Sequence, residues 1–262
     1  MSAELAINVT GFLVGTVVGI TGVSGGALMT PILVLIFGLA PQIAVGTDLV
    51  FAAATKSVGV VVHGFHGTID WNVFRRLSYG SLPAALVTVS FLYQNNLPVM
   101  NQDLIIHVVG LAIVVTSVGL LFRPTIYRLS RNPRIDESTA FNRLQGPFTV
   151  LAGAILGVMV TLTSIGAGTL GATFLVFLYP LRMKPATLVG TDIAHAIPLA
   201  LVAGAGHLAI GNVDFTLLQN LLIGSIPGII LGSLISTRTP DHLIRYALAI
   251  ILLLVGVKML LW

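Results

Sequence analysis

The chain contains no cysteine, and only 8% of its 262 residues are charged. The first absence excludes disulfides, thiolate catalysis and cysteine-ligated metal sites. The second excludes an ordinary soluble domain, which carries about 25% charged residues and needs them to cover its surface. Gly22-Val23-Ser24-Gly25-Gly26 spells Gly-x-Ser-x-Gly but lies inside an apolar run rather than between a strand and a helix, and a glycine loop ending in Lys-Ser/Thr and His-Glu-x-x-His are missing. Neither hydrolysis nor ATP-driven transport is therefore supported, and the expectation is a non-enzyme. The six histidines fit no zinc spacing, so no metal and no cofactor are implied.

What is present is apolar sequence, 56% of the chain, with a mean hydropathy of +1.01. Apolar segments fall at about 5–21, 25–39, 43–66, 72–93 and 103–122, then at about 145–162, 167–180, 186–209, 215–236 and 241–261. They are near-continuous rather than alternating, which argues for helices and against a barrel. The predicted class is all-α, a polytopic transmembrane helical protein. The last three segments of each half are long enough to span a bilayer. The first two are shorter and read as two thin spans or a re-entrant hairpin. The opening residues lack a basic stretch and are read as a first segment rather than a cleaved signal.

The two halves repeat each other. At a spacing of 144 residues Pro41 meets Pro185, Gly46-Thr47-Asp48 meets Gly190-Thr191-Asp192, His63 meets His207 and Asp70 meets Asp214. Gly80-Ser81-Leu82-Pro83 meets Gly224-Ser225-Ile226-Pro227, the prolines being expected to kink their helices. Upstream the spacing is 142, pairing Gly11 with Gly153, Gly15 with Gly157 and Gly26 with Gly168. An insertion around Tyr179–Met183 accounts for the change. Each half holds an odd number of crossings on either reading, so the second is inverted relative to the first. The predicted organisation is a first transmembrane repeat at 1–122, a cytoplasmic polar linker at 123–143 and a second, inverted repeat at 144–262.

Charge sets the expected orientation. With the arginine-rich linker in the cytoplasm, all thirteen Lys and Arg except Lys56 and Lys258 fall on the inner side. The positive-inside rule then places both termini outside, in a multi-pass protein of the cell membrane. The formal charge of +4 thus reflects membrane loops, not nucleic-acid binding.

Two glycine breaks interrupt the apolar runs, Gly22-Val23-Ser24-Gly25-Gly26 and Ser164-Ile165-Gly166-Ala167-Gly168. Helices starting at such breaks aim free N–H groups and a partial positive charge at the gap, which favours an anion. Ser24, Ser164 and Thr169 add hydroxyl donors, and Thr47 and Thr191 are candidate oxyanion donors. The plain alternative for each break is close helix packing through small residues. Lys56, near the middle of its span, cannot easily reach the surface and should meet an anionic ligand or pair with an acid. Asp48 and Asp192, with His195 three residues on, are candidates for proton coupling. Helix capping is the plain reading of the acids, and a polar vestibule that of His63, His195 and His207. Asp70 and Asp214 are read as caps of the spans that follow.

These motifs resemble the TauE/SafE sulfite-exporter-like membrane transporters over nearly the whole chain. The likeness lies in Gly22–Pro31 with Ala44-Val45-Gly46-Thr47, and in Ser164–Thr173 with Leu188-Val189-Gly190-Thr191. This chain has Gly-Thr-Asp where the family often has Gly-Thr-Ser, and Thr173 where Pro31 has its counterpart. The resemblance implies a secondary exporter of a small sulfur-containing oxyanion such as sulfite or sulfoacetate, working by alternating access. The expected binding residues are Ser24, Gly25, Gly26, Thr47, Lys56, Ser164, Gly166, Gly168, Thr169 and Thr191. The expected partners are that small anion and membrane lipid; the sequence is compatible with an oligomer. The alternative is a cation-coupled carrier or ion channel with Asp48 and Asp192 as ion ligands.

Overall fold

Glycine and proline decide where the helices stop. The computed structural model describes residues 3–21, 26–65, 68–94, 102–130, 139–180, 182–236 and 241–261. Among these residues the regular structure is helical throughout. The first half contains α1 (Ala3–Thr21), α2 (Gly26–Leu35), α3 (Pro41–Phe65), α4 (Trp71–Gln94) and α5 (Gln102–Ser130). The second contains α6 (Thr139–Thr163), α7 (Leu170–Leu178), α8 (Pro185–Ile210), α9 (Phe215–Ser236) and α10 (Asp241–Leu260). Pro185 opens α8, where its missing N–H costs nothing. Gly211 closes α8 in the left-handed region at φ 88°, with its N–H on the Leu208 carbonyl. α4 and α9 continue through Pro83 and Pro227.

Among the described residues, four stretches are long and apolar enough to cross a membrane: Ile105–Phe122, Leu144–Thr163, Ala186–Ile210 and Phe215–Gly232. α3 and α4 match them in length, with 25 and 24 residues, but carry charges. The half-helices α2 and α7 have only 10 and 9 residues. At 1.5 Å per residue each reaches about 15 Å, half the hydrocarbon thickness. Neither is long enough to span. Large apolar side chains such as Leu86, Phe91, Ile230 and Leu254 are exposed on the outer faces, as lipid contact requires. The helices α5 and α6 extend into the region read as linker, because arginine and threonine satisfy helix geometry without being apolar.

Close backbone contact joins the halves. A Cβ on Gly11 or Gly15 of α1 would strike the carbonyls of Leu221 or Ser225 on α9. A Cβ on Gly153 or Gly157 of α6 would strike those of Leu77 or Ser81 on α4. The second pair of contacts repeats the first with the halves exchanged, at the offsets seen in the sequence. α3 meets its counterpart α8 head to tail: Gly46 lies by His207, Gly204 by Val50 and Gly190 by Thr68. α5 and α10 also oppose each other, with Ser117 donating to the Ala249 carbonyl at 2.8 Å while Gly110 packs on Met259.

Asp70 and Asp214 cap α4 and α9, accepting from the amides of Val73 at 3.2 Å and Leu217 at 2.9 Å. Asp70 also holds Arg182 across the halves: Arg182 Nη2 donates to Oδ1 at 2.8 Å and Nε pairs with Oδ2. Arg182 is 48% exposed, so water screens this pair. Arg182→Gln is expected to cost no more than ~1 kcal/mol. Asp70→Ala removes the cap as well and should cost about 1 kcal/mol more. Thermal melting of both variants in detergent checks the difference.

Candidate functional site

The second break is built by its own side chains. Thr163, the last residue of α6, donates to the Met159 carbonyl at 2.7 Å and accepts from the Ile165 amide at 3.1 Å. The chain then turns through Ser164 at φ 59° and Gly166 at φ 112°. Ser164 is the one non-glycine residue with positive φ among the described residues, a conformation costing ~1–2 kcal/mol. Gly166 escapes that cost, and its carbonyl accepts from both Leu170 and Gly171 at 3.0 Å to start α7. Thr169 precedes α7 but makes no capping hydrogen bond with its side chain. The N-terminus of α7 and the hydroxyls of Ser164 and Thr169 therefore sit together in the buried centre.

Two carboxylates converge on this point. Asp48, fully buried, accepts a 2.6 Å hydrogen bond from Thr30 of α2 on Oδ2. Ser164 lies close beside the same carboxylate without meeting hydrogen-bond geometry. Asp192 lies over the first turn of α7, where its Oδ1 occupies the space that a Cβ on Gly171 would need. Half-buried Lys56 feels both carboxylates, and His195 feels Lys56. His195 is fixed by a 2.8 Å hydrogen bond between Nε2 and Ser81 Oγ of α4.

The polar atoms of this cluster are incompletely satisfied. Asp48 Oδ1, Ser164 Oγ, Thr169 Oγ1 and His195 Nδ1 are all buried and have no hydrogen-bond partner among the described residues. Buried polar groups are normally paired, so four together form a surface shaped for a polar guest. Lys56 closes no ion pair among the described residues, which leaves its ammonium able to meet such a guest.

The expected binding residues divide into three groups. Ser164, Gly166, Gly168, Thr169 and Lys56 gather at the centre with Asp48, Asp192 and His195. Gly26 opens α2, and its neighbour Ala27 shares one apolar core with Ala167 of the other break. Ser24, Gly25 and the side chain of His63 lie outside the described residues. Thr47 and Thr191 each face a turn of the other half. Thr47 Oγ1 accepts from the Asp214 amide at 3.0 Å and Thr191 Oγ1 from the Asp70 amide at 2.9 Å. Each threonine thus ties its helix to a turn in the other half, and Gly46 and Gly190 let those turns approach. His207 is anchored on the Thr161 carbonyl at 2.9 Å.

Three contributors carried no strong sequence signal. Thr30 corresponds to Ala172, so the repeat does not point to it. Gly171 was one glycine among 28. Ser81 belonged to a repeated Gly-Ser-x-Pro element that gave no hint of a histidine partner.

The chain is similar, along nearly its whole length, to curated proteins described as probable membrane transporters. It is 37% identical over 260 residues, 98% of this chain and 100% of the relative, to the "Probable membrane transporter protein YjnA" of Bacillus subtilis (strain 168). It is 27% identical over 267 residues, 97% of this chain and 94% of the relative, to the "Probable membrane transporter protein MJ0441" of Methanocaldococcus jannaschii. A "Probable membrane transporter protein" of Xylella fastidiosa (strain 9a5c) is 25% identical over 256 residues, 95% of this chain and 91% of the relative. No solved structure matches. The model of the family described as "Sulfite exporter TauE/SafE" matches residues 7–259. The chain belongs to the sulfite exporter TauE/SafE family of membrane transporters.

Proposed function

We propose that the protein is a secondary transporter that exports a small sulfur-containing oxyanion, such as sulfite or sulfoacetate, across the cell membrane. The observation that carries this reading is the set of four unpaired buried polar atoms around the N-terminus of α7, with Lys56 within electrostatic reach of Asp48 and Asp192. Ser164, Thr169 and the first amides of α7 donate to the anion, and Lys56 supplies positive charge. Gly26, at the start of α2, is the described residue of the other break that would extend the cradle, while Thr47 and Thr191 tie their helices to the other half.

The two halves work as inverted repeats, 1–122 and 144–262, joined by a cytoplasmic linker with both termini outside. The head-to-tail pairing of α3 with α8 and of α5 with α10 supports this. Rocking one repeat against the other exposes the centre alternately.

Asp48 and Asp192 give the site two negative charges against one from Lys56. Each ionised carboxylate at about 4 Å from the anion would cost on the order of 4 kcal/mol. A proton on Asp48 or Asp192 removes that repulsion, so anion loading and protonation occur together. The test is flux into proteoliposomes of sulfite, sulfoacetate, sulfate and acetate, with and without a pH gradient. The expected result is gradient-dependent flux of sulfite or sulfoacetate. No flux of any sulfur anion would sink the substrate assignment. The paired acids also favour a second reading, a cation-coupled carrier or channel. Cation-dependent, voltage-driven current without anion movement would select it.

A further inference from the structure

We propose that the groove between α2 and α10 holds an acyl chain of an anionic phospholipid, with its headgroup on Lys258. The groove has a volume of about 270 Å³ and is apolar apart from Lys258. Ala27, Ile32 and Ile36 line it from α2 and the turn beyond; Ile251 and Val255 line it from α10. Ile36 is 73% exposed and Ile251 49%, so the groove opens on the lipid-facing exterior.

Among the described residues, the equivalent place in the other half is closed. There α7, the counterpart of α2, is seated on α5. Leu170 and Thr173 close over Gly119, where even a Cβ would crowd Leu170. Their counterparts Leu28 and Pro31 line the groove instead. The half-helix that carries Thr30, and through it Asp48, is thus braced by protein in one half and by something else in the other.

Polarity identifies the occupant. α2 and α10 run toward the same face, on which Gly46 meets Asn212 and Gly110 meets Met259. The inner end of the groove is Ala27 and Ile251, beside the break. The outer end is Ile36 and exposed Lys258, in the last turn of α10. A chain-shaped apolar slot that starts at bilayer depth and ends at a surface cation has the order of a phospholipid in its leaflet. The cation selects a negative headgroup over a zwitterionic one.

The test is binding and does not depend on what the protein transports. The intact protein is placed in nanodiscs of equal phosphatidylglycerol and phosphatidylcholine, then released into native mass spectrometry. The expected result is preferential retention of one phosphatidylglycerol. Lys258→Ala should weaken that retention about fivefold, the worth of one basic residue near an anionic surface. Lys258→Arg should restore it, and Ile32→Trp should expel lipid of both kinds. Melting curves confirm that each variant is folded. Equal retention of the two lipids by wild type and Lys258→Ala overturns the proposal. So does a crosslinked dimer joining position 32 of one copy to position 251 of another, which would make the groove an interface.

Discussion

Gly80→Leu is expected to leave little folded protein. A Cβ at Gly80 would fall on the Val150 carbonyl oxygen, with the Ala154 amide nitrogen beside it. These are backbone atoms of α6 and cannot swing aside as a side chain would. Room can come only from separating α4 and α6. In lipid those helices gain nothing from the hydrophobic effect and are held by close packing alone. Overpacking in a forgiving core costs ~1–3 kcal/mol. Here the cost should exceed that range and consume much of a stability of about 5–15 kcal/mol. Size-exclusion profiles and melting curves of detergent-solubilised protein read the effect. Gly146→Ala is the control on the facing helix α6, because its nearest neighbour is the flexible Arg76 guanidinium. That change should be neutral or stabilise by up to ~1 kcal/mol through helix propensity. Equal melting of Gly80→Leu and wild type would mean that α4 and α6 do not touch through their backbones.

Lys56→Met should reduce transport about 100-fold or more. The ammonium is the positive charge that both Asp48 and Asp192 feel. Methionine keeps the length of the side chain and removes only its charge. Asp48 and Asp192 then lose a cation that acts on both, and a unit charge about 4 Å from a bound anion contributes on the order of 4 kcal/mol at a protein's effective dielectric. If that charge contacts the anion, the loss appears as the 100-fold or greater defect expected from 1.4 kcal/mol per decade. The double variant Lys56→Met/Asp192→Asn separates structure from function. It lowers the negative charge of the centre and should recover thermal stability while staying inactive. Wild-type flux in Lys56→Met would remove Lys56 from the transport site.

The sequence and the structure agree most where a residue type has one physical use. Glycines at 11, 15, 153 and 157 could only be close-packing or turning positions, and they pack on backbone. Asp70 and Asp214 stood where helix caps belong, and they cap. Hydropathy marked the breaks but not the true length of α2 and α7. It scores the apolar turn Ile36–Ala40 like a helix, since it does not register φ. Threonine was harder, because its hydroxyl both donates and accepts. Thr47 and Thr191 were read as donors to a ligand, yet each accepts from an amide in the other half. Thr30 and Ser81 were invisible because their value lies in partners 18 and 114 residues away. The Arg182–Asp70 pair escaped notice for a related reason: Arg182 belongs to the stretch where the repeat spacing shifts.

The exchange of helices between halves also bears on synthesis. The glycine face of α1 is completed only by α9, made roughly 200 residues later. At about 5–20 residues per second that is a delay of roughly 10 to 40 seconds. For that time Gly11 and Gly15 have no native partner, whereas α6 finds α4 already in place. α1 is thus among the last of these helices to be seated, and a ribosome that stops before α9 leaves its glycine face unpaired in the bilayer.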